Sequence, residues 1–214
     1  MGTVAREALV KRGEYCCGLS RTAEPQHRIF SDPDELWQCA PSVLLDLTTQ
    51  PASYEISLAA VERGIPAVIG ASGWTAEQRA ALAAAATDRG VGALIVPNFS
   101  VGAMLMMRFA QEAARFFADA EIVEMHHPAK KDKPSGTARE TAGRIEAACG
   151  KAPAIHSLRV PGSLAHQEVI FGGPGELLTI RHDTLSRESF VAGMMQAVHA
   201  VVGLRGLIVG LESL

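Results

Sequence analysis

One stretch of the chain gathers side chains that can move protons and hold anions. It reads Glu121-Ile122-Val123-Glu124-Met125-His126-His127-Pro128-Ala129-Lys130-Lys131-Asp132-Lys133-Pro134-Ser135-Gly136-Thr137-Ala138. An apolar run ends at paired histidines, a loop of lysines and prolines follows, and Ser-Gly-Thr opens a helical pattern. Ser135 suits a helix N-cap, and Gly136 lets a ligand approach the backbone closely. The N–H groups and partial positive charge of a helix start attract anions. Lys130, Lys131 and Lys133 add positive charge, which favours a carboxylate or phosphate ligand. His126 can exchange protons near neutrality, as can Lys130 where burial or a neighbouring cation lowers its pKa. Each part also has an ordinary use: a helix cap, a solvated lysine face, packing at a strand end. A metal site on His126, His127 and Asp132 finds no third strong ligand at a familiar spacing, so no metal is expected.

These residues need a strand before them and a helix after them, and the surrounding pattern supplies both. Glu121 to Met125 predicts a strand and Ser135 to Cys149 a helix. Upstream, short apolar runs alternate with helical patterns. Val43 to Leu47 predicts a buried strand, and Pro51 to Arg63 a helix stopped by Gly64. Ala67 to Gly70 predicts the next strand. Thr75 with Gln78 forms a capping box that opens an alanine-rich helix running to Arg89. Ala93 to Val96 is a further strand, ended by Pro97. This alternation implies a parallel sheet with right-handed crossovers. A helix follows Asn98-Phe99-Ser100, and Met106, Phe109, Ala110, Ala113, Phe116 and Phe117 are expected to form its core-facing side. Ile155 to Val160, Gln167 to Phe171 and Leu177 to His182 are strand-like runs with no helix between them, which suggests a mixed or antiparallel sheet. Gly172-Gly173-Pro174-Gly175 fits a hairpin turn better than a phosphate loop, because a strand follows it. A last amphipathic helix spans Val191 to Val202, and Leu207 to Val209 reads as a short strand.

Composition narrows the classes. The chain has 214 residues, 48% of them hydrophobic, and a formal net charge of −3. It is long enough for one large or two small domains. Its mild acidity argues against a nucleic-acid partner, and no stretch has the length and apolarity of a membrane span. The N-terminus lacks the apolar segment of a signal peptide. Cys16, Cys17, Cys39 and Cys149 form no C-x-x-C pair, so reduced thiols in a cytoplasmic protein are expected.

The segment from Glu121 to Ala138 follows the pattern E-I-x-E-x-H, three residues, K-x-D-x-P-S-G-T-A. In this it resembles the 4-hydroxy-tetrahydrodipicolinate reductases at every defined position. The likeness extends along nearly the whole chain, through Leu45-Asp46-Leu47-Thr48, Ile69-Gly70-Ala71-Ser72-Gly73, Val96-Pro97-Asn98-Phe99-Ser100-Val101-Gly102, Ile155 to Arg159, Phe171-Gly172 and Ser186-Arg187. It implies reduction of (2S,4S)-4-hydroxy-2,3,4,5-tetrahydrodipicolinate by NADPH or NADH, with loss of water, in diaminopimelate and lysine biosynthesis. By the same resemblance His126 is a proton donor or acceptor and Lys130 a proton donor. His127, Ser135, Gly136 and Thr137 hold the dicarboxylate. Gly70, Ala71, Ser72, Val96, Pro97, Asn98 and Phe99 contact the cofactor. Arg21 follows Leu19-Ser20, where an acidic residue would select NAD, and implies a lean toward NADPH. A homotetramer built through the second domain's sheet is the expected assembly.

The expected fold class is α/β: a Rossmann-type parallel-sheet nucleotide domain over 1–97 and 188–214, plus an α+β substrate and oligomerisation domain over 98–187 with a mixed sheet. Met1-Gly2-Thr3 looks like the last part of the family's opening glycine turn, so the first strand is expected to be missing and strand edges to be exposed. His166 is expected to be structural. Two other readings stay open at this point: a dicarboxylate-binding relative without nucleotide binding, and a related amino-acid dehydrogenase.

Overall fold

A computed structural model describes residues 1–214. The chain forms α1 (Gly2–Lys11), β1 (Gly18–Leu19), β2 (Ile29–Phe30), α2 (Pro33–Gln38), β3 (Leu44–Asp46), α3 (Ala52–Glu62), β4 (Ala67–Ile69), α4 (Ala76–Arg89) and β5 (Gly92–Ile95). It continues through α5 (Val101–Ala113), β6 (Asp119–His126), α6 (Gly136–Cys149), β7 (Ala154–Arg159), β8 (Ala165–Gly173) and β9 (Glu176–Thr184), then α7 (Val191–Val201) and β10 (Gly206–Val209). Two compact units result: Met1–Phe99 with Phe190–Leu214, and Ser100–Ser189.

The first unit carries a parallel sheet in the order β10-β5-β4-β3. β4 and β5 are buried along their whole length, as a parallel strand covered on both faces must be. Val61, Ile69, Leu82, Ala86, Ala93 and Ile95 make one cluster between this sheet and its helices. Thr75 and Gln78 form the anticipated capping box at the start of α4, with contacts of 3.2 Å and 3.0 Å. Gly64 takes a φ of +78° just past α3, a conformation in which a side chain would be strained. β1 and β2 pair only with each other, in parallel, and β3 is an edge strand of the four-stranded sheet. Asp46, buried at the end of β3, accepts from the Thr48 N–H and hydroxyl (2.9 and 2.6 Å) and from the Ser53 hydroxyl. The turn after β3 is thereby tied to the start of α3.

The second unit is a four-stranded sheet in the order β7-β6-β8-β9 with α5 and α6 on one face. β6 and β7 are parallel, and β6–β8 and β8–β9 antiparallel, so the sheet is mixed. The hairpin between β8 and β9 turns at Pro174-Gly175, as expected. Along β6, Ile122 and Glu124 point to the helices while Val123 and Met125 take the other face. Ile122, Val169 and Phe171 meet Ala110, Ala114, Ala138 and Ile145 in this unit's core. The other face carries Val123, Met125, His166, Glu168 and Arg181 around a shallow depression.

The expected core side of α5 needs correction. Phe109 is 53% exposed and Phe116 80% exposed. The buried arc is centred on Ala103, Met106, Met107, Ala110 and Ala114. At about 100° per residue, Phe109 and Phe116 lie more than about 100° from the middle of that arc. Phe116 also falls beyond the helix end at Ala113. The spacing found an apolar stripe but misjudged its centre.

Candidate active site

Strand pairing builds the site in the second unit. The parallel register of β6 and β7 sets His126 opposite Arg159 and Glu124 opposite Ser157. Glu124 lies on the inward parity of β6 and is inaccessible to solvent. Its Oε2 accepts from Arg159 Nη1 at 2.9 Å and lies 2.5 Å from His126 Nδ1. Its Oε1 accepts from Arg159 Nη2 at 3.0 Å and from the Ser135 N–H at 3.3 Å. Burial alone would raise the Glu124 pKa, but hydrogen bonds from Arg159, Ser157 and His126 outweigh it and hold the carboxyl below its ordinary value. His126 moves down as well. Burial is the main cause and Lys130 and Arg159 add to it, against the opposing pull of Glu124. At neutral pH the imidazole is therefore largely uncharged.

The loop after β6 is held by the same arginine. Arg159 Nε donates to the Lys130 carbonyl at 3.2 Å, and Nη2 donates to the Asp132 carbonyl at 2.6 Å. Lys130 Nζ lies 2.9 Å from Asp132 Oδ1, and this contact is the main reason the Asp132 carboxyl sits below its usual range. His127 is half-buried, and its carbonyl accepts from the Lys130 N–H at 3.1 Å. Ser135 caps α6 by accepting from the Ala138 N–H at 3.1 Å, the role its position in the sequence implies. Gly136 is exposed, and a Cβ built on it would meet nothing within 4 Å, so the front of the helix start is open. Thr137 is half-buried, and its carbonyl accepts from the Thr141 hydroxyl at 2.7 Å. His126, His127, Lys130, Ser135, Gly136 and Thr137 thus belong to one strand–loop–helix corner that combines proton-exchanging groups with an anion-attracting helix start.

The expected cofactor residues lie in the first unit. Gly70, Ala71 and Ser72 follow β4, while Val96, Pro97, Asn98 and Phe99 follow β5. Both turns leave the C-terminal ends of paired parallel strands, where sheets of this kind bind ligands. The turns touch: a Cβ on Gly70 would come within 2.6 Å of the Phe99 ring and 3.0 Å of Leu47. Ala71, Val96 and Phe99 are buried, Asn98 is half-buried, and Ser72 and Pro97 are exposed. Arg21 is exposed on the turn after β1. The Gln50 side chain adds a polar feature. Its Oε1 and Nε2 are both buried without a partner, and its Cγ lies 3.7 Å from a Cβ built on Gly73. A buried amide left unpaired is costly, so a donor and an acceptor waiting beside this turn suit the amide- and phosphate-bearing groups of a pyridine dinucleotide.

Glu124, Arg159 and Gln50 were given no role in the site by the sequence, although Glu124 and Arg159 fall within the stretches that carry the resemblance. A signal existed for Glu124: it shares the inward parity of Ile122, and a charge at such a position requires a partner. Nothing local to Arg159 marks it as that partner.

Family models described as "Dihydrodipicolinate reductase, N-terminus" and "Dihydrodipicolinate reductase, C-terminus" match residues 3–99 and 102–214. The chain is 46% identical over 194 residues to the 4-hydroxy-tetrahydrodipicolinate reductase of Moorella thermoacetica, covering 81% of this chain and 73% of that protein. It is 43% identical over 193 residues to the enzyme of the same name from Bacillus cereus strain B4264, covering 80% and 73%. Among solved structures, the dipicolinate-bound dihydrodipicolinate reductase of Paenisporosarcina sp. TG-14 superposes with a TM-score of 0.88 at 31% identity, covering 100% of this chain and 94% of that one. An amine dehydrogenase of Mycobacterium smegmatis shares the fold alone, with a TM-score of 0.67 at 12% identity over 97% of this chain and 91% of that one.

Proposed function

Since this chain belongs to the dihydrodipicolinate reductase family, we propose that the corner formed by β6, its following loop and α6 is the place where it protonates and holds its substrate. The protein is an oxidoreductase that converts (2S,4S)-4-hydroxy-2,3,4,5-tetrahydrodipicolinate to 2,3,4,5-tetrahydrodipicolinate with a pyridine nucleotide, in diaminopimelate and lysine biosynthesis. One observation carries the site assignment: His126 and Lys130 share this corner with the open start of α6. The substrate is a dianion. The N-terminus of α6, with Ser135, Gly136 and Thr137, receives one carboxylate, and His127 contributes a further contact. The bound nucleotide supplies a hydride, and because the hydroxyl leaves as water, each turnover consumes one proton. His126 and Lys130 deliver and restore that proton, Lys130 being held ready by Asp132.

Gly70 to Ser72 and Val96 to Phe99 receive the nucleotide in this reading, supported by their place at the strand ends and by the unpaired Gln50 amide. The exposed Arg21 accepts the 2′-phosphate of NADPH and sets a preference for it over NADH. The outer face of the second unit's sheet, with Val123, Met125, His166, Glu168 and Arg181, joins copies of the chain into a homotetramer in the cytoplasm. The deciding experiment is calorimetric titration with NADPH and NADH, followed by cofactor oxidation with freshly generated substrate. Binding plus oxidation supports the reading. A folded chain that binds neither nucleotide, or binds one without oxidising it when substrate is present, refutes it. Arg21→Ala is expected to lower catalytic efficiency with NADPH far more than with NADH, and an equal effect on both removes Arg21 from the site.

A further inference from the structure

We propose that Glu124 is a positioning residue: it holds His126 with its proton on Nδ1, so that Nε2 is the atom that exchanges a proton with substrate, while Arg159 couples that carboxylate to the loop bearing Lys130. The proposal rests on the assignment of His126 to the proton-transfer step and adds which nitrogen acts and what fixes it.

The geometry leaves little choice of proton placement. An ionised carboxylate only accepts hydrogen bonds, and Glu124 Oε2 lies 2.5 Å from His126 Nδ1. The proton of a neutral imidazole must then sit on Nδ1, leaving a lone pair on Nε2. Glu124 stays ionised because donors already face both of its oxygens. These include the two terminal nitrogens of Arg159, the Ser135 N–H, the Ser157 side chain and the imidazole itself. A proton added to either oxygen would meet donors rather than an acceptor. The fork of Arg159 is matched to the carboxylate as lysine could not be.

The same ion pair shapes the loop. Arg159 donates to the carbonyls of Lys130 and Asp132, and Asp132 in turn holds the Lys130 ammonium. Glu124 also takes the N–H of Ser135, the cap of the anion-attracting helix. A single solvent-inaccessible carboxylate thus orients the histidine, the lysine loop and the helix start together. When Nε2 gains a proton, the adjacent Glu124 charge stabilises the imidazolium; when Nε2 gives the proton up, the tautomer returns to its starting form. A carboxylate behind an acting histidine is a recurring arrangement, and loss of its charge there presents the wrong tautomer.

The test uses the full chain with 15N-labelled histidine. Above the His126 pKa, the wild type is expected to show a protonated Nδ1 and an unprotonated Nε2. Glu124→Gln, which can donate its amide to Nδ1 and so favour the other tautomer, is expected to lower kcat by about 100- to 10,000-fold with KM changed only a few-fold. The limb of its kcat/KM profile that His126 governs moves to lower pH, because the carboxylate that favours the imidazolium is gone. Glu124→Asp keeps the charge and recovers part of kcat. A wild-type His126 protonated on Nε2 overturns the proposal, as does Glu124→Gln with unchanged kcat and pH profile. If Glu124→Gln fails to fold, the wild-type tautomer still decides. Should the chain turn over no substrate, the proposed activity fails while the tautomer measurement still judges the placement.

Discussion

Replacing Arg159 with Leu tests how much of the site depends on one buried ion pair. The Arg159 side chain is 7% exposed and that of Glu124 0%, so solvent hardly screens their interaction. Removing one partner leaves an uncompensated buried charge, a loss of about 3–5 kcal/mol. The two loop carbonyls, of Lys130 and Asp132, also lose their donor, at about 1 kcal/mol each if water does not replace it. With a urea m-value of about 2 kcal/mol/M, the midpoint for the second unit falls by about 1.5–3.5 M at pH 7.5.

The size of this loss depends on pH in a defined direction. In the wild type the Glu124 pKa is depressed, so its stabilising contribution is present above the unfolded-state value of about 4.3 and is lost as pH falls through the folded value. Without Arg159 the desolvation of Glu124 loses its main opponent, and the carboxyl is expected to rise above its unfolded value and take up a proton readily. His126 also gains charge on acidification and can replace part of the missing cation. The stability difference between variant and wild type should therefore shrink between pH 7.5 and pH 5. Urea unfolding followed by circular dichroism at the two pH values measures it. A deficit below about 1 kcal/mol at pH 7.5, or one equal at both pH values, would refute the reasoning.

Lys130→Met should lower kcat by about 100- to 10,000-fold while shifting stability by less than about 1 kcal/mol, because its Nζ meets only the part-exposed Asp132; stopped-flow cofactor oxidation and urea melts check both. Ser135→Ala removes the cap of α6 at about 1 kcal/mol and should weaken dipicolinate binding, read by calorimetry. Gly102→Ala would put a Cβ within 2.6 Å of His182 Cδ2, forcing the ring to move and disturbing its 3.2 Å contact with Ser100; a loss of about 1–3 kcal/mol is expected in thermal unfolding. His182 lies below its ordinary pKa chiefly through burial. The unfolded chain therefore binds its proton first as pH drops below about 6.5, and acid favours unfolding. His182→Gln should reduce the loss of stability between pH 7.5 and 5.5, and an unchanged slope would count against this assignment.

Much of the candidate site was legible in the sequence because its parts are near neighbours in the chain. A cap needs only a residue three positions before the N–H it receives, so Ser135 and Thr75 declared their helices directly. The run from His126 to Thr137 stays together for the same reason, and a parallel sheet followed from strands alternating with helices. Local spacing could not place the centre of a broad apolar arc, which is why Phe109 and Phe116 turn to solvent. Nor could it find contacts set by pairing between distant segments. The β6–β7 register, a matter of tertiary assembly, sets Arg159 across from His126, and a slip of one residue would turn the guanidinium to the opposite face. Gly70 meets Phe99, and Gly102 meets His182, only after two strand ends or a helix and a strand have packed. The sequence by itself determined which residues carry charge and which turn opens a helix. The tertiary structure alone decided which cation answers the buried Glu124, because a charge on an inward-facing position demands a partner without specifying where in the chain it lies.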